Sequence, residues 1–313
     1  MKILAAISAY LGIDINVTSR IVQDAPLLYR RYSVPKKKGG NREIYHPAKE
    51  TKTIQAAAID LLYDDTLLHE CVKGYVRGLR SPLVNNASAH ANSLFLLKLD
   101  FKDFFPSIKP EDFKAVCGDK LQLDGNLLDH TDLELLCRLF FVYNSRLGWF
   151  LGIGAPCSPF VSNWVMYNLD NELLAISNET GCIYTRYADD LCFSANSKGQ
   201  LLDLEKRVKI AVKSCLHPRL LLNDSKRRLA SKWGKRKITG LSITPLAEVR
   251  VPRDTKRYIR SLLHKYQRGT ITPKQKSSLA GYLAFLNDCE PGYFSNLTFK
   301  YKADIVYRAL KKK

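Results

Sequence analysis

The sequence predicts an α+β fold in two or three subdomains around one larger core. Its 313 residues exceed what one compact core usually organises. Two stretches, Leu94 to Ile108 and Cys182 to Ala195, alternate side-chain types around acids as half-buried strands do. From about Pro252 the composition turns helical and basic.

Taken in order, Ile3, Leu4, Ile7 and Leu11 fall at helical spacing, and a second short helix is expected to end near Tyr29. Arg31 to Val34 and Arg42 to Tyr45 flank Pro35-Lys36-Lys37-Lys38-Gly39-Gly40-Asn41, a hairpin with a basic, glycine-rich tip. Glycine lets the backbone approach a polyphosphate, and Lys and Arg supply countercharge. Ile54, Ala57, Ala58, Leu61 and Leu62 make one apolar helical face. Phe95, Leu97 and Leu99 alternate with Leu96, Lys98 and Asp100, which places Asp100 at a strand end before the turn Phe104-Phe105-Pro106. Pro110-Glu111-Asp112 opens a helix, and Leu133 to Tyr143 reads as another. A glycine and proline turn from Leu151 to Pro159 then leads into a helix over Phe160 to Ser177.

Two strands follow, Cys182 to Tyr187 and Leu191 to Ala195, with Ala188 and Asp189 as their turn. Adjacent carboxylates repel. Asp189 and Asp190 at a rigid hairpin tip therefore form a suitable half-site for Mg²⁺, which takes oxygen ligands and substrate phosphate. Leu201 to Leu216 is amphipathic, Leu220 to Lys226 reads as strand and turn, and Lys237 to Ile243 as a short strand. Between them Lys226, Arg227, Arg228, Lys232, Lys235, Arg236 and Lys237 surround Trp233, which suits a groove that tracks a phosphate backbone and offers a stacking surface. The tail carries apolar stripes at Ile259 to Tyr266 and Leu279 to Leu286 and a third helix over Leu297 to Leu310, a small three-helix domain with a basic outer face.

Hydrophobic residues at 46% and charged residues at 25% describe a folded chain, and 49 Lys plus Arg against 30 acids give +19, which favours a nucleic-acid partner. No apolar run reaches membrane-span length, so neither a membrane nor export is expected and the location is cytoplasmic. Eight scattered cysteines without a C-x-x-C pair read as small buried hydrophobes in a reducing compartment. Six histidines without H-E-x-x-H or a Cys/His cluster argue against zinc.

A strand-end acid, an acidic hairpin tip and a basic excess converge on two-metal chemistry, in which ions about 4 Å apart clamp the attacking and leaving oxygens of a phosphoryl displacement. Here the chain resembles a reverse transcriptase, most closely a bacterial retron reverse transcriptase. The resemblance rests on Tyr187-Ala188-Asp189-Asp190, on Asp100 with Phe105, on Gly154 with Ser158-Pro159, and on Lys226, in the family's order from about Arg31 onward. Asn86-Ala87-Ser88-Ala89-His90 fits the retron N-A-x-x-H pattern, and Ile238-Thr239-Gly240 sits where Val-Thr-Gly is usual.

The resemblance implies a right-hand polymerase fold: fingers in 1–95, an antiparallel-sheet palm in 96–250 with part of the fingers inserted around 130–165, and a helical thumb in 251–313. Asp100, Asp189 and Asp190 would bind two Mg²⁺, with Mn²⁺ as a possible substitute. Lys226 would act as a general acid or electrostatic stabiliser at the leaving group. Lys36, Lys38 and Arg42 would hold the triphosphate, Phe105 would exclude a 2′-hydroxyl, and Gly154 and Ser158 would border the nucleotide. Asn86, His90, Arg228, Lys235, Gly240, Lys256 and Arg260 would contact RNA or primer. The family usually places Gln where this chain has Ile153, so that amide contact is missing or supplied elsewhere.

By family, such an enzyme takes dNTPs and copies part of its cognate structured non-coding RNA from an RNA 2′-hydroxyl, giving branched RNA-linked DNA, in anti-phage defence. The end of the chain soon after the thumb leads us to expect a separate effector protein. The alternatives are a group II intron-like reverse transcriptase, an RNA-dependent RNA polymerase, against which Phe105 argues, and an RNA-binding scaffold with an idle site.

Overall fold

A computed structural model describes residues 2–36 and 39–310. At its centre, the strands Arg228–Ser231, Phe95–Asp100, Asp190–Ala195 and Ile183–Tyr187 form a four-stranded sheet in that spatial order, with every neighbour antiparallel. Period-two patterning dictates the register, because a one-residue slip would turn every core side chain to the other face. Leu97, Leu99, Leu191 and Phe193 join the larger apolar core, whereas Leu96 and Cys192 join a second core that includes Ala87, Ile238 and Leu262. The sheet is thus covered on both faces, and its acidic end stays open.

The larger core is built by helices: Lys2–Leu11 and Ile15–Asp24 at the start, then Lys49–Leu62, His130–Phe140 and Lys198–Ser214. Asp14 caps the second of them by accepting from Asn16 N–H at 2.8 Å. The basic hairpin forms as Tyr29–Pro35 against Asn41–Pro47. It is tied to the rest by Tyr45 N–H donating to the Ile153 carbonyl at 2.7 Å.

Several elements differ from expectation. Residues 141–143 do not extend the preceding helix; Phe141–Asn144 pairs with Gly148–Leu151 as a hairpin. The helix expected over Phe160 to Ser177 is two, Ser158–Val165 and Tyr167–Glu179. Lys237 to Ile243 turns back on itself, with Thr239 and Gly240 at positive φ between the strands Arg236–Ile238 and Leu241–Ile243. Leu220 to Asn223 is no regular strand and keeps one bridge, Leu222 to Phe101. The C-terminal region holds four helices among the described residues, Arg253–Gln267, Pro273–Cys289, Pro291–Tyr301 and Ala303–Leu310. Its expected third helix is interrupted at Lys302, whose φ of 66° no α-helix accommodates. All eight cysteines are unpaired and all but Cys215 are buried. Among the described residues no helix is long and apolar enough to cross a membrane.

Candidate active site

Asp100 and Asp190 end neighbouring antiparallel strands and stand directly opposite one another in register. The Ala188-Asp189 turn closes the hairpin, with Ala188 at φ 54° and Phe101 N–H donating to the Asp189 carbonyl at 3.2 Å. Beneath it lies fully buried Arg186, which donates to both carboxylate oxygens of Asp170, to Asn163 Oδ1 at 3.0 Å and to the Ala188 carbonyl at 3.3 Å. Burial opposes the guanidinium charge, but Asp170 outweighs it and the Arg186 pKa is raised. Asn163 in turn donates to the Gly74 carbonyl at 2.9 Å. A Cβ on Gly74 would stand 3.2 Å from Ala188 N, so the segment around Gly74 is packed tightly on the turn.

Electrostatics at the sheet end are strained in one direction. Burial, then the charges of Asp100 and Asp190, push the Asp189 carboxyl up to about 6. Burial likewise raises Asp100, against the opposing hydrogen bond from Lys226. Lys226 Nζ donates to Asp100 Oδ1 at 2.6 Å and Lys98 Nζ to Asp190 Oδ2 at 3.4 Å. Burial disfavours the Lys226 ammonium, yet the acids beside it raise its pKa. Two lysines thus stand in as countercharge, and among the described residues no three acidic, His or Cys side chains converge as a ready metal-ligating group. The donor chemistry still fits divalent cations: three oxygen-bearing acids share one sheet end, and their mutual repulsion, visible at Asp189, is what a cation relieves.

Two cavities meet at Lys226. One of about 840 Å³ holds Asp189, Phe105, Lys36, Arg42, Tyr75 and Ile153 in its wall. The other, about 960 Å³, runs from Asp100 and Asp190 past Arg228 to Lys235, Lys237 and Gly240. The structure therefore brings together Asp100, Asp189, Asp190, Lys226, Lys36, Arg42 and Phe105, and sets Arg228, Lys235 and Gly240 along the adjoining groove. Arg260 is exposed on the Arg253–Gln267 helix. Lys38 lies outside the described residues.

Five expected contacts are corrected. Asn86 and His90 are fully buried: Thr185 Oγ1 donates to Asn86 Oδ1 at 2.5 Å, and the His90 ring bridges Thr185 and Ser194 hydroxyls at 2.7 Å each. They brace the back of the hairpin and reach no surface where RNA could touch them. Lys256 is spent internally, donating to buried Glu290 at 2.7 Å and lying 4.2 Å from the centre of the Tyr293 ring. Neither Gly154 nor Ser158 lines the cavity that holds Asp189 and Phe105; they shape the turn next to Ile153. Ser158 Oγ donates to the Gly152 carbonyl at 2.6 Å, and a Cβ on Gly154, at φ 109°, would come within 2.7 Å of Ile44. Arg236 also leaves the expected basic run, because its guanidinium is buried against the Ala91, Ser93 and Thr244 carbonyls.

Sequence reasoning missed Lys98, Tyr75 and the Arg186 network. Lys98 shares the Asp100 face of its strand, two residues away, and could have been read from that spacing. A charged residue inside the apolar run before the hairpin was the available signal for Arg186.

The chain matches the reverse transcriptase (RNA-dependent DNA polymerase) family over residues 34–245, and it belongs to that family. Within it, the chain is 33% identical to the Retron Ec83 reverse transcriptase of Escherichia coli, covering 94% of this chain and 92% of that protein. It is 31% identical to the Retron Ec73 enzyme of the same organism, covering 91% and 90%. The Retron Mx162 reverse transcriptase of Myxococcus xanthus is 30% identical over 86% of this chain and 59% of its own length. The protein is accordingly an RNA-directed DNA polymerase of the retron type. Among solved structures, apo telomerase from Candida tropicalis aligns at a TM-score of 0.52 and 11% identity over 92% of this chain, and telomerase from Candida albicans at 0.51 and 10% over 92%. The chain spans about three fifths of those telomerase chains, 63% and 58%. At such identity they carry the fold alone, the right-hand polymerase fold.

Proposed function

We propose that the enzyme reverse-transcribes part of a cognate structured RNA from an RNA 2′-hydroxyl, leaving DNA branched from the RNA. The observation that carries this reading is the register that sets Asp100 against Asp190, with Lys226 on Asp100 and Phe105 in the wall of the adjoining cationic cavity. The retron relatives support an RNA partner, and the 2′-hydroxyl priming is part of the proposal. The division into fingers 1–95, palm 96–250 and thumb 251–313 is part of the same proposal.

Asp100, Asp189 and Asp190 would hold two Mg²⁺ ions, for which Mn²⁺ could substitute. When bound, the ions lower the pKa of the attacking hydroxyl and neutralise the triphosphate. Lys36 and Arg42 bind the triphosphate from the basic hairpin, and Phe105 lies under the sugar, where a 2′-hydroxyl would clash. The 2′-hydroxyl gives up its proton to solvent as its oxygen attacks the α-phosphorus, the bond from the α-phosphorus to the oxygen bridging to the β-phosphate breaks, and pyrophosphate leaves. Lys226 Nζ, which carries its proton at neutral pH, donates to the leaving oxygen. Ile153 offers the nucleotide an apolar surface in place of an amide. A separate effector protein and a role in anti-phage defence, in the cytoplasm, complete the reading.

The test is product linkage. With RNA transcribed from beside the gene, dNTPs and Mg²⁺, the purified protein should make DNA that stays joined to RNA until a 2′,5′-debranching enzyme releases it. DNA free of RNA, or joined through a 3′-oxygen, contradicts the priming assignment.

A further inference from the structure

The loop bearing Trp233 has no part in the chemistry above. Lys232 to Lys235 join the strands Arg228–Ser231 and Arg236–Ile238. Gly234 N–H donates to the Ser231 carbonyl at 2.9 Å, and Arg236 N–H to the Gly234 carbonyl at 3.0 Å. Below the loop, the buried Arg236 guanidinium is fixed by three backbone carbonyls, two on the 91–93 segment and one at Thr244. On this rigid mount Trp233 is 82% exposed, whereas Trp164 is buried and Trp149 is partly covered. A large ring held in water on a fixed support forgoes its burial energy, and what sets this one apart from other exposed apolar side chains is the cationic groove beside it.

Its surroundings say what it meets. Ser231 and Gly234, on either side of Trp233, line the groove that begins at Asp100 and Asp190. Ser231 pairs with Phe95, five residues from Asp100, so the loop stands about 17 Å from the catalytic acids along the strand. Lys98, Lys226, Arg228, Lys235 and Lys237 make the groove cationic. A partner that is anionic along its length and also reaches the catalytic acids is a nucleic-acid strand, whereas an acidic protein surface has no reason to extend there. Aromatic side chains bind single strands by stacking on unpaired bases, whose faces a duplex hides.

We propose that Trp233 is a stacking platform for an unpaired base of the RNA. The inference rests on the priming reading above, since an RNA that continues past its priming 2′-hydroxyl leaves an unpaired arm beside the groove. Lys232 and Lys235 hold the phosphates flanking that base.

Tryptophan fluorescence tests it, because Trp233 is by far the most exposed of the three. A 12-nucleotide single-stranded RNA of mixed sequence should quench the emission, and a blunt RNA duplex with the same number of phosphates should not. Trp233→Leu should abolish the quench and weaken single-strand binding about 5- to 150-fold with the salt dependence intact. Trp233→Phe should recover part of the affinity. Lys235→Gln should instead reduce the salt slope by about one while keeping the quench. Equal quenching by the duplex, or undiminished single-strand affinity in Trp233→Leu, overturns the platform and leaves the polymerase reading standing. Failure of the unaltered protein to bind the single strand likewise overturns the platform, whereas the priming reading falls only by its own product-linkage test.

Discussion

The Arg186 guanidinium donates to the Ala188 carbonyl and so fixes from below the turn that presents Asp189. Its other donors are committed to Asp170 and Asn163, which makes the turn's position a property of the buried ion pair. Replacing Arg186 by Met should cost about 3–5 kcal/mol, because the Asp170 charge is left buried. Changing Asp170 to Leu in the same chain should restore part of that loss. Urea unfolding of the two variants checks it, and a single-variant cost below about 1 kcal/mol would show that the pair does not hold the hairpin.

His90 gives the fold a pH dependence. Burial, then the Lys73 charge, push its pKa down to about 3, below an unfolded value of about 6.5. Between those values the unfolded chain binds the extra proton, so stability is full above about pH 6.5 and falls as pH drops toward 3. Measured from pH 7.5 to 5, the unfolding free energy should decline more steeply than in His90→Gln, by up to about 1.4 kcal/mol per pH unit. Parallel profiles would refute the assignment.

Divalent cations and protons should compete at the acidic cluster. With no cation bound, Asp189 titrates near 6 through burial and its acidic neighbours. Below pH 6 Mg²⁺ affinity should therefore fall, approaching about tenfold per pH unit for this one proton, and binding at pH 6 should release protons. Calorimetry in buffers of different ionisation enthalpy reads that release. Affinity independent of pH from 5 to 7 would contradict it.

Phe105 lines the same cavity as Asp189, braced by Phe104 with ring centres 5.2 Å apart. Phe105→Ala should open room for a 2′-hydroxyl and reduce discrimination against ribonucleotides by about 10- to 100-fold. Competition between dGTP and GTP in primer extension measures it, and unchanged discrimination would place the sugar elsewhere.

The acidic end of the sheet was legible because strand period and core burial coincide there: Leu97, Leu99, Leu191 and Phe193 need a core face, and that fixes where Asp100 and Asp190 fall. Residues 141–143 were not legible, since the run Phe140-Phe141-Val142-Tyr143 serves a helix or a buried strand equally well. The turn at Thr239 and Gly240 was hidden by apolar neighbours on both sides. His90 could be found as a motif but not placed, because its role depends on Thr185 and Ser194, some hundred residues away. Lys256 looked like any solvated lysine until its partner Glu290, on another helix boundary, was in view.

The most direct measurement is DNA synthesis by Asp189→Ala/Asp190→Ala protein beside the unaltered enzyme, with the same RNA, dNTPs and Mg²⁺. The double variant should bind the RNA about as tightly and make no DNA. Synthesis retained in that variant would contradict the assignment of the site.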